Sequence, residues 1–194
     1  MKRLIPIVIF LTFFNLPAYG FIQLRASVGS VFSTPEDNFN TSYSSIPGFP
    51  SFSGALELED ILPLINIEGG ATLHSRKFLV GSTLEIIQPQ YQFFLMGRVN
   101  IMIFSVAAGI YLGKPNGTMT IIENGVPKVL TYAEAQLKDS EVGIIGSAKL
   151  SLPILPVVTP FLEARLTKTV FNAATTGTFR FQDLQLYLGA QLGI

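Results

Sequence analysis

From Asp183 to the C-terminus the chain alternates without a break. Leu184, Leu186, Leu188, Ala190, Leu192 and Ile194 fall on one side, and Asp183, Gln185, Tyr187, Gly189, Gln191 and Gly193 on the other. A period of two is the signature of a strand with one apolar and one polar or small face. The same rhythm recurs at about 22–32, 52–60, 64–74, 80–96, 100–113, 140–152 and 157–170, which predicts eight strands in all. In the fourth, Gln88-Pro89-Gln90 interrupts the pattern, and because proline brings no donor to a ladder a bulge is expected near Pro89.

The N-terminus reads as an export signal. Lys2 and Arg3 precede an uncharged run from Leu4 to Leu16, and Ala18-Tyr19-Gly20 offers small residues at the positions a signal peptidase reads. The run is shorter than the ~20 residues a spanning helix needs, and Asn15 and Pro17 interrupt its end. The expected division is a signal peptide at 1–20 and one domain at 21–194. Losing 1–20 removes two basic residues and no acidic one, which leaves the mature chain at −2. With no basic stripe, nucleic acid is not an expected partner. The chain has no cysteine, so neither a disulfide framework nor a cysteine-linked lipid anchor is available.

Charged residues make up 13% of the chain and hydrophobic ones 48%, against about 25% charged in an ordinary soluble domain. Beyond the signal there is no apolar stretch long enough for a helical span. An exported, charge-poor, strand-rich chain of this size fits one small transmembrane barrel. A soluble lipocalin-like cup has the same alternation with the apolar face turned inward, and its outer face would carry many Lys and Glu. Here the second face holds Ser27, Gly29, Gly70, Thr83, Ser105, Ala107, Gly109, Gly143, Ser147 and Gly189. Small residues suit a narrow lumen that side chains fill. On the apolar face the charges, Lys168 and Arg180, lie near strand ends. The favoured reading is therefore an all-β, eight-stranded, antiparallel up-and-down transmembrane barrel surrounded by outer-membrane lipid.

The connections alternate in length. Short turns are expected near Ile61-Leu62-Pro63, Gly97-Arg98-Val99 and Pro153–Pro156; long connections fall at 33–51, 114–139 and 171–179, with a short exception near 75–79. Outer-membrane barrels have short periplasmic turns and longer outer loops. Inside 114–139, Met119 to Glu123 and Val126 to Leu130 flank Asn124-Gly125, which predicts a projecting hairpin. Ala133 to Lys138 is expected to form a short helical turn or a bulge.

The inward charges need partners, because an unpaired ion in a packed lumen is costly. Arg25, Glu57, Glu68, Glu85, Lys149, Glu163, Arg165 and Tyr187 are the expected lumen network, with an ion or proton path as the rival reading. Phe39, Tyr43, Phe49, Lys128 and Tyr132 are the candidate contacts for an extracellular surface partner; loops that merely close the mouth are the alternative. Phe32, Phe52, Phe94 and Phe171 are candidates for an aromatic girdle. No catalytic, metal or cofactor site is expected: there is no cysteine, and the one histidine, His74, is expected at the rim.

The spacing of Tyr187, Gly189, Leu192 and Ile194 resembles the C-terminal signal through which outer-membrane barrels engage the barrel-assembly machinery. That signal ends most often in Phe, and Ile194 departs from it. Across 21–194 the chain resembles the small eight-stranded outer-membrane barrels of the OmpA/OmpX type. The resemblance implies a salt-bridged plug in place of an open channel, and a task in envelope structure, surface binding or adhesion. A lipid-modifying barrel enzyme is the rival within the same membrane. The lipid-A deacylase barrels carry His and Ser on one strand face, two residues apart. Here His74 and Ser75 are adjacent and point to opposite faces, so no enzyme is expected.

Overall fold

A computed structural model describes residues 22–37, 41–62, 64–152, 158–171 and 179–193. The expected export signal, the turn expected at 153–156, Phe39 and Ile194 lie outside them. The strands are β1 (Ile22–Asp37), β2 (Tyr43–Ile46), β3 (Gly48–Leu62), β4 (Ile65–Val80), β5 (Leu84–Ile101), β6 (Phe104–Pro115), β7 (Met119–Glu123), β8 (Val126–Leu130), β9 (Glu141–Ser151), β10 (Val158–Thr169) and β11 (Phe179–Gly193). Eight of them close a barrel in the order β1-β3-β4-β5-β6-β9-β10-β11, every pair antiparallel, with β11 pairing back to β1 and β4 to β5. The alternation explains the closure. Each strand turns bulky apolar side chains outward, including Leu56, Leu95, Ile110, Ile144, Leu166 and Leu188, all more than a third exposed. The face toward the lumen is mostly polar, with apolar layers between the charged groups.

Small inward residues make room for rings from neighbouring strands. A Cβ at Gly70 would meet Cζ of Phe94 at 2.6 Å; one at Gly143 would run into the Tyr111 ring, and one at Gly189 into the Phe161 ring. Phe94 is thus a lumen residue, 5% exposed, and not part of an aromatic girdle. Tyr91 and Phe93 hold the outward positions beside it.

Several expected boundaries move. The turn between the fourth and fifth barrel strands is Met102-Ile103, with Ile101 opposite Phe104, and Gly97-Arg98-Val99 lies inside β5. Residues 75–79 are strand, and the outer turn is at 81–83. Most of 33–51 is strand as well, since β1 runs on to Asp37 and β2 pairs with β4. There is no bulge at Pro89: the pairing of β4 with β5 runs through it in one register. On the other side β5 pairs with β6 up to Gln90 and with β7 from Ile87. Pro89 falls in the gap between those two ladders, where a residue without an N–H is tolerated.

The uninterrupted phase through Pro89 turns Ile86 inward, into an apolar cluster with Phe78 and Phe181, and puts Glu85 on the opposite face, opposite Leu79 and Ile122. Glu85 is therefore not part of the lumen network. The hairpin β7–β8 forms as its sequence predicts. Asn124 (φ 50°) and Gly125 (φ 81°) both take the left-handed backbone of a two-residue turn whose twist matches the strands. With β2 and β4 on one side and β7 and β8 on the other, β5 carries the sheet beyond the barrel wall, and among the described residues β2 and β8 are its two edges.

Candidate functional site

Two buried ionic clusters fill the lumen. The one nearer the start of β1 and the end of β11 gathers four cations, Arg25, Arg98, Arg165 and Lys149, around three carboxylates, Glu57, Glu68 and Glu163. Arg25 reaches Glu68 at 2.5 Å and Glu163 at 2.7 Å. Arg98 spans the same pair, Glu68 at 2.5 Å and Glu163 at 2.7 Å, and also donates to Ser105 and Ser147 at 3.0 Å each. Arg165 pairs with Glu163 at 2.9 Å, its guanidinium 4.5 Å from the Phe94 ring centre. Lys149 pairs with Glu57 at 3.3 Å, and Asn66 donates to Glu57 at 2.8 Å. Bidentate arginines paired in this way satisfy buried carboxylates that would otherwise be costly.

The second cluster lies toward the outer end. Arg76 donates to Asp183 (Nη2 at 2.7 Å), to Glu141 (Nη2 at 2.6 Å) and to Gln90 (3.0 Å), with its guanidinium 4.0 Å from the Phe181 ring centre. His74 is also in the lumen, 1% exposed, with Asp183 and Arg76 as its charged neighbours. It does not sit at the rim as expected, because β4 runs on past it to Val80 and keeps its phase. A middle layer separates the clusters: Ala55, Phe94, Met96, Ala107, Tyr111 and Ile145 pack together, and Gln185 donates to Gln92 at 2.9 Å.

Of the expected lumen residues, the structure brings Arg25, Glu57, Glu68, Lys149, Glu163 and Arg165 into one cluster and sets Tyr187 above it, its hydroxyl 2.9 Å from that of Ser51. Gly189 and Leu192 continue β11 below Tyr187. Arg98 and Arg76 are absent from the expected set because Gly97-Arg98-Val99 and 75–79 read as turns in the sequence. Arg76 continues, two residues on, the inner face of Glu68, Gly70, Thr72 and His74, and that phase is the signal that could have placed it there.

The candidate loop contacts divide. Phe49 (65% exposed) and Lys128 are exposed. Tyr43 is half-buried, donates to Asp37 at 2.5 Å and packs edge-on against Phe78. Tyr132 is buried: its hydroxyl donates to the carbonyl of Pro89 at 2.6 Å, and burial pushes the phenol up from its ordinary range. Both tyrosines thus hold the outer mouth together. What aims Tyr132 inward is a capping box, Thr131-x-x-Glu134. The Thr131 N–H donates to Glu134 at 2.7 Å and the Glu134 N–H to the Thr131 hydroxyl at 3.2 Å, starting one helical turn closed by Leu137 N–H to Tyr132 C=O at 2.9 Å. Thr131→Ala is expected to cost about 1 kcal/mol locally. Amide exchange at residues 132–137 should speed up while the barrel strands stay protected; equal protection would show that the cap does not hold the turn.

Closed antiparallel topology, an apolar outer wall and a salt-bridged lumen define the small outer-membrane β-barrel fold. Solved structures share it. OprG of Pseudomonas aeruginosa aligns over 88% of this chain and 94% of its own at a TM-score of 0.50 and 11% identity. Ail, the attachment invasion locus protein of Yersinia pestis, aligns over 88% and 98% at 0.49 and 13%. Neisserial surface protein A aligns over 89% and 97% at 0.49 and 11%. No protein-family model and no curated protein matches the sequence. At 11% identity the likeness to OprG concerns the fold and nothing finer.

Proposed function

We propose that this chain is exported through residues 1–20, assembles in the outer membrane with its lumen plugged, and binds a partner at the cell surface through the β7–β8 hairpin. The observation that carries this reading is the open edge of β8. Among the described residues no strand pairs with β8 on the side away from β7, and Val126 and Val129 are 68% and 61% exposed. Such an edge accepts an added strand. Pro127, within that edge, supplies no N–H and so limits how a partner can pair. A binding role and not a catalytic one is supported by His74, which is closed off inside the lumen, and by Ser75 on the opposite face.

The test is replacement of 119–130 by a short turn with the barrel strands kept. The variant is expected to remain heat-modifiable on unboiled gels, as a folded barrel should. Cells displaying it are expected to lose about tenfold or more of their adhesion to immobilised surface proteins, the loss of roughly 1.4 kcal/mol or more of binding free energy. A folded variant that adheres as well as the parent would leave only an envelope-structural role.

A further inference from the structure

The outer wall of a membrane barrel has no need to be grooved, yet this one is. Between β6, β9, β10 and β11 runs a depression of about 460 Å³. Its floor is Gly146, which stands opposite Leu166 on one side and Ala108 on the other, and its ridges are Ile144 and Leu166. The gap comes from the missing side chain. A Cβ at Gly146 would find nothing nearer than the Ala107 carbonyl at 3.8 Å, so the position has room to spare.

The groove ends at polar residues on the outward face. Lys168 and Gln182 stand opposite each other at its outer end, and Arg180 is the next outward residue on β11. Lys168 is 47% exposed and pairs with Glu36 at 3.1 Å, and Glu36 stands opposite Arg180. Two cations against one carboxylate leave a net positive charge where an apolar wall meets the outer headgroup region. An exposed amide such as Gln182 on a lipid-facing wall also calls for a partner, since hydrocarbon supplies none.

We infer that this groove and its polar end form a binding site for an anionic, phosphate-bearing membrane lipid whose headgroup lies at the outer end of the barrel. One acyl chain lies over Gly146 between Ile144 and Leu166. The headgroup phosphate is held by Lys168 and Arg180, with the Gln182 amide as a further donor. The inference rests on the barrel spanning a membrane, as proposed above.

The test uses the full chain in nanodiscs of phosphatidylcholine containing a minor fraction of phosphatidylglycerol, with lipid retained on the barrel measured by native mass spectrometry. The wild type is expected to retain phosphatidylglycerol about fivefold better than phosphatidylcholine, in proportion to abundance. Lys168→Gln with Arg180→Gln should abolish that preference. Gly146→Leu should fill the groove and lower retention of both lipids, whereas Gly69→Leu, which has equal room on β4, should change neither. A preference that survives the charge substitutions, or retention indifferent to Gly146→Leu, would overturn the site. So would displacement of the lipid by inorganic phosphate alone, which would leave an anion site with no acyl groove. A barrel that enters bilayers without lipid preference defeats this site only; a chain that never enters them defeats the membrane reading as well.

Discussion

Arg76→Met is expected to be among the most destabilising single substitutions in this barrel, at about 3–5 kcal/mol, because it leaves two buried carboxylates without their cation. Asp183 and Glu141 are 0% and 7% exposed, and Arg76 bonds to both. Lys149→Met serves as the contrast. Lys149 belongs to a cluster in which four cations share three carboxylates, and without it Glu57 keeps Asn66 at 2.8 Å, Asn100 at 3.2 Å and Arg98 at 3.9 Å. Its loss should therefore cost about 1 kcal/mol or less. Urea midpoints read from the shift between folded and unfolded forms on unboiled gels compare the two. Equal midpoints would mean that charge balance within each cluster does not govern stability.

Purified protein in planar bilayers should give no porin-sized conductance steps. Eight strands enclose a space that side chains fill, whereas open porins use about 16–18 strands. Here the filling is also cross-braced. Arg25 on β1, Glu68 on β4, Arg98 on β5 and Glu163 on β10 join four strands across the lumen, and Phe94, Met96, Tyr111 and Ile145 occlude the level above. An ion crossing this interior would have to displace both the ion pairs and the packed rings. Reproducible large steps from the wild type would show that the lumen opens and would favour the ion-path alternative.

Alternation by itself determined most of the wall. Which residues of β9, β10 and β11 face outward, and where the Asn124-Gly125 turn falls, are local properties. They depend on the pleat of a strand and on backbone angles at two residues, so a short window contains them. The small residues of the inner face, Gly70, Gly143 and Gly189 among them, likewise announced a narrow, filled lumen.

Local reading failed where two local signals had to be ranked. Pro89 reads as a break, yet two ladders meet there and leave the phase intact, which is why Glu85 leaves the expected lumen set and Ile86 faces inward. Gly97-Arg98-Val99 reads as a turn, yet it is strand, and Arg98 becomes the central bridge between Glu68 and Glu163. The pairing of Arg25 with Glu163 and of Arg76 with Asp183 could be decided only by tertiary structure. Those partners lie 138 and 107 residues apart, and they meet because the register of every strand pair around the closed barrel sets which inward side chains share a level. A strand's own sequence fixes its faces; the neighbour across the lumen is a property of closure.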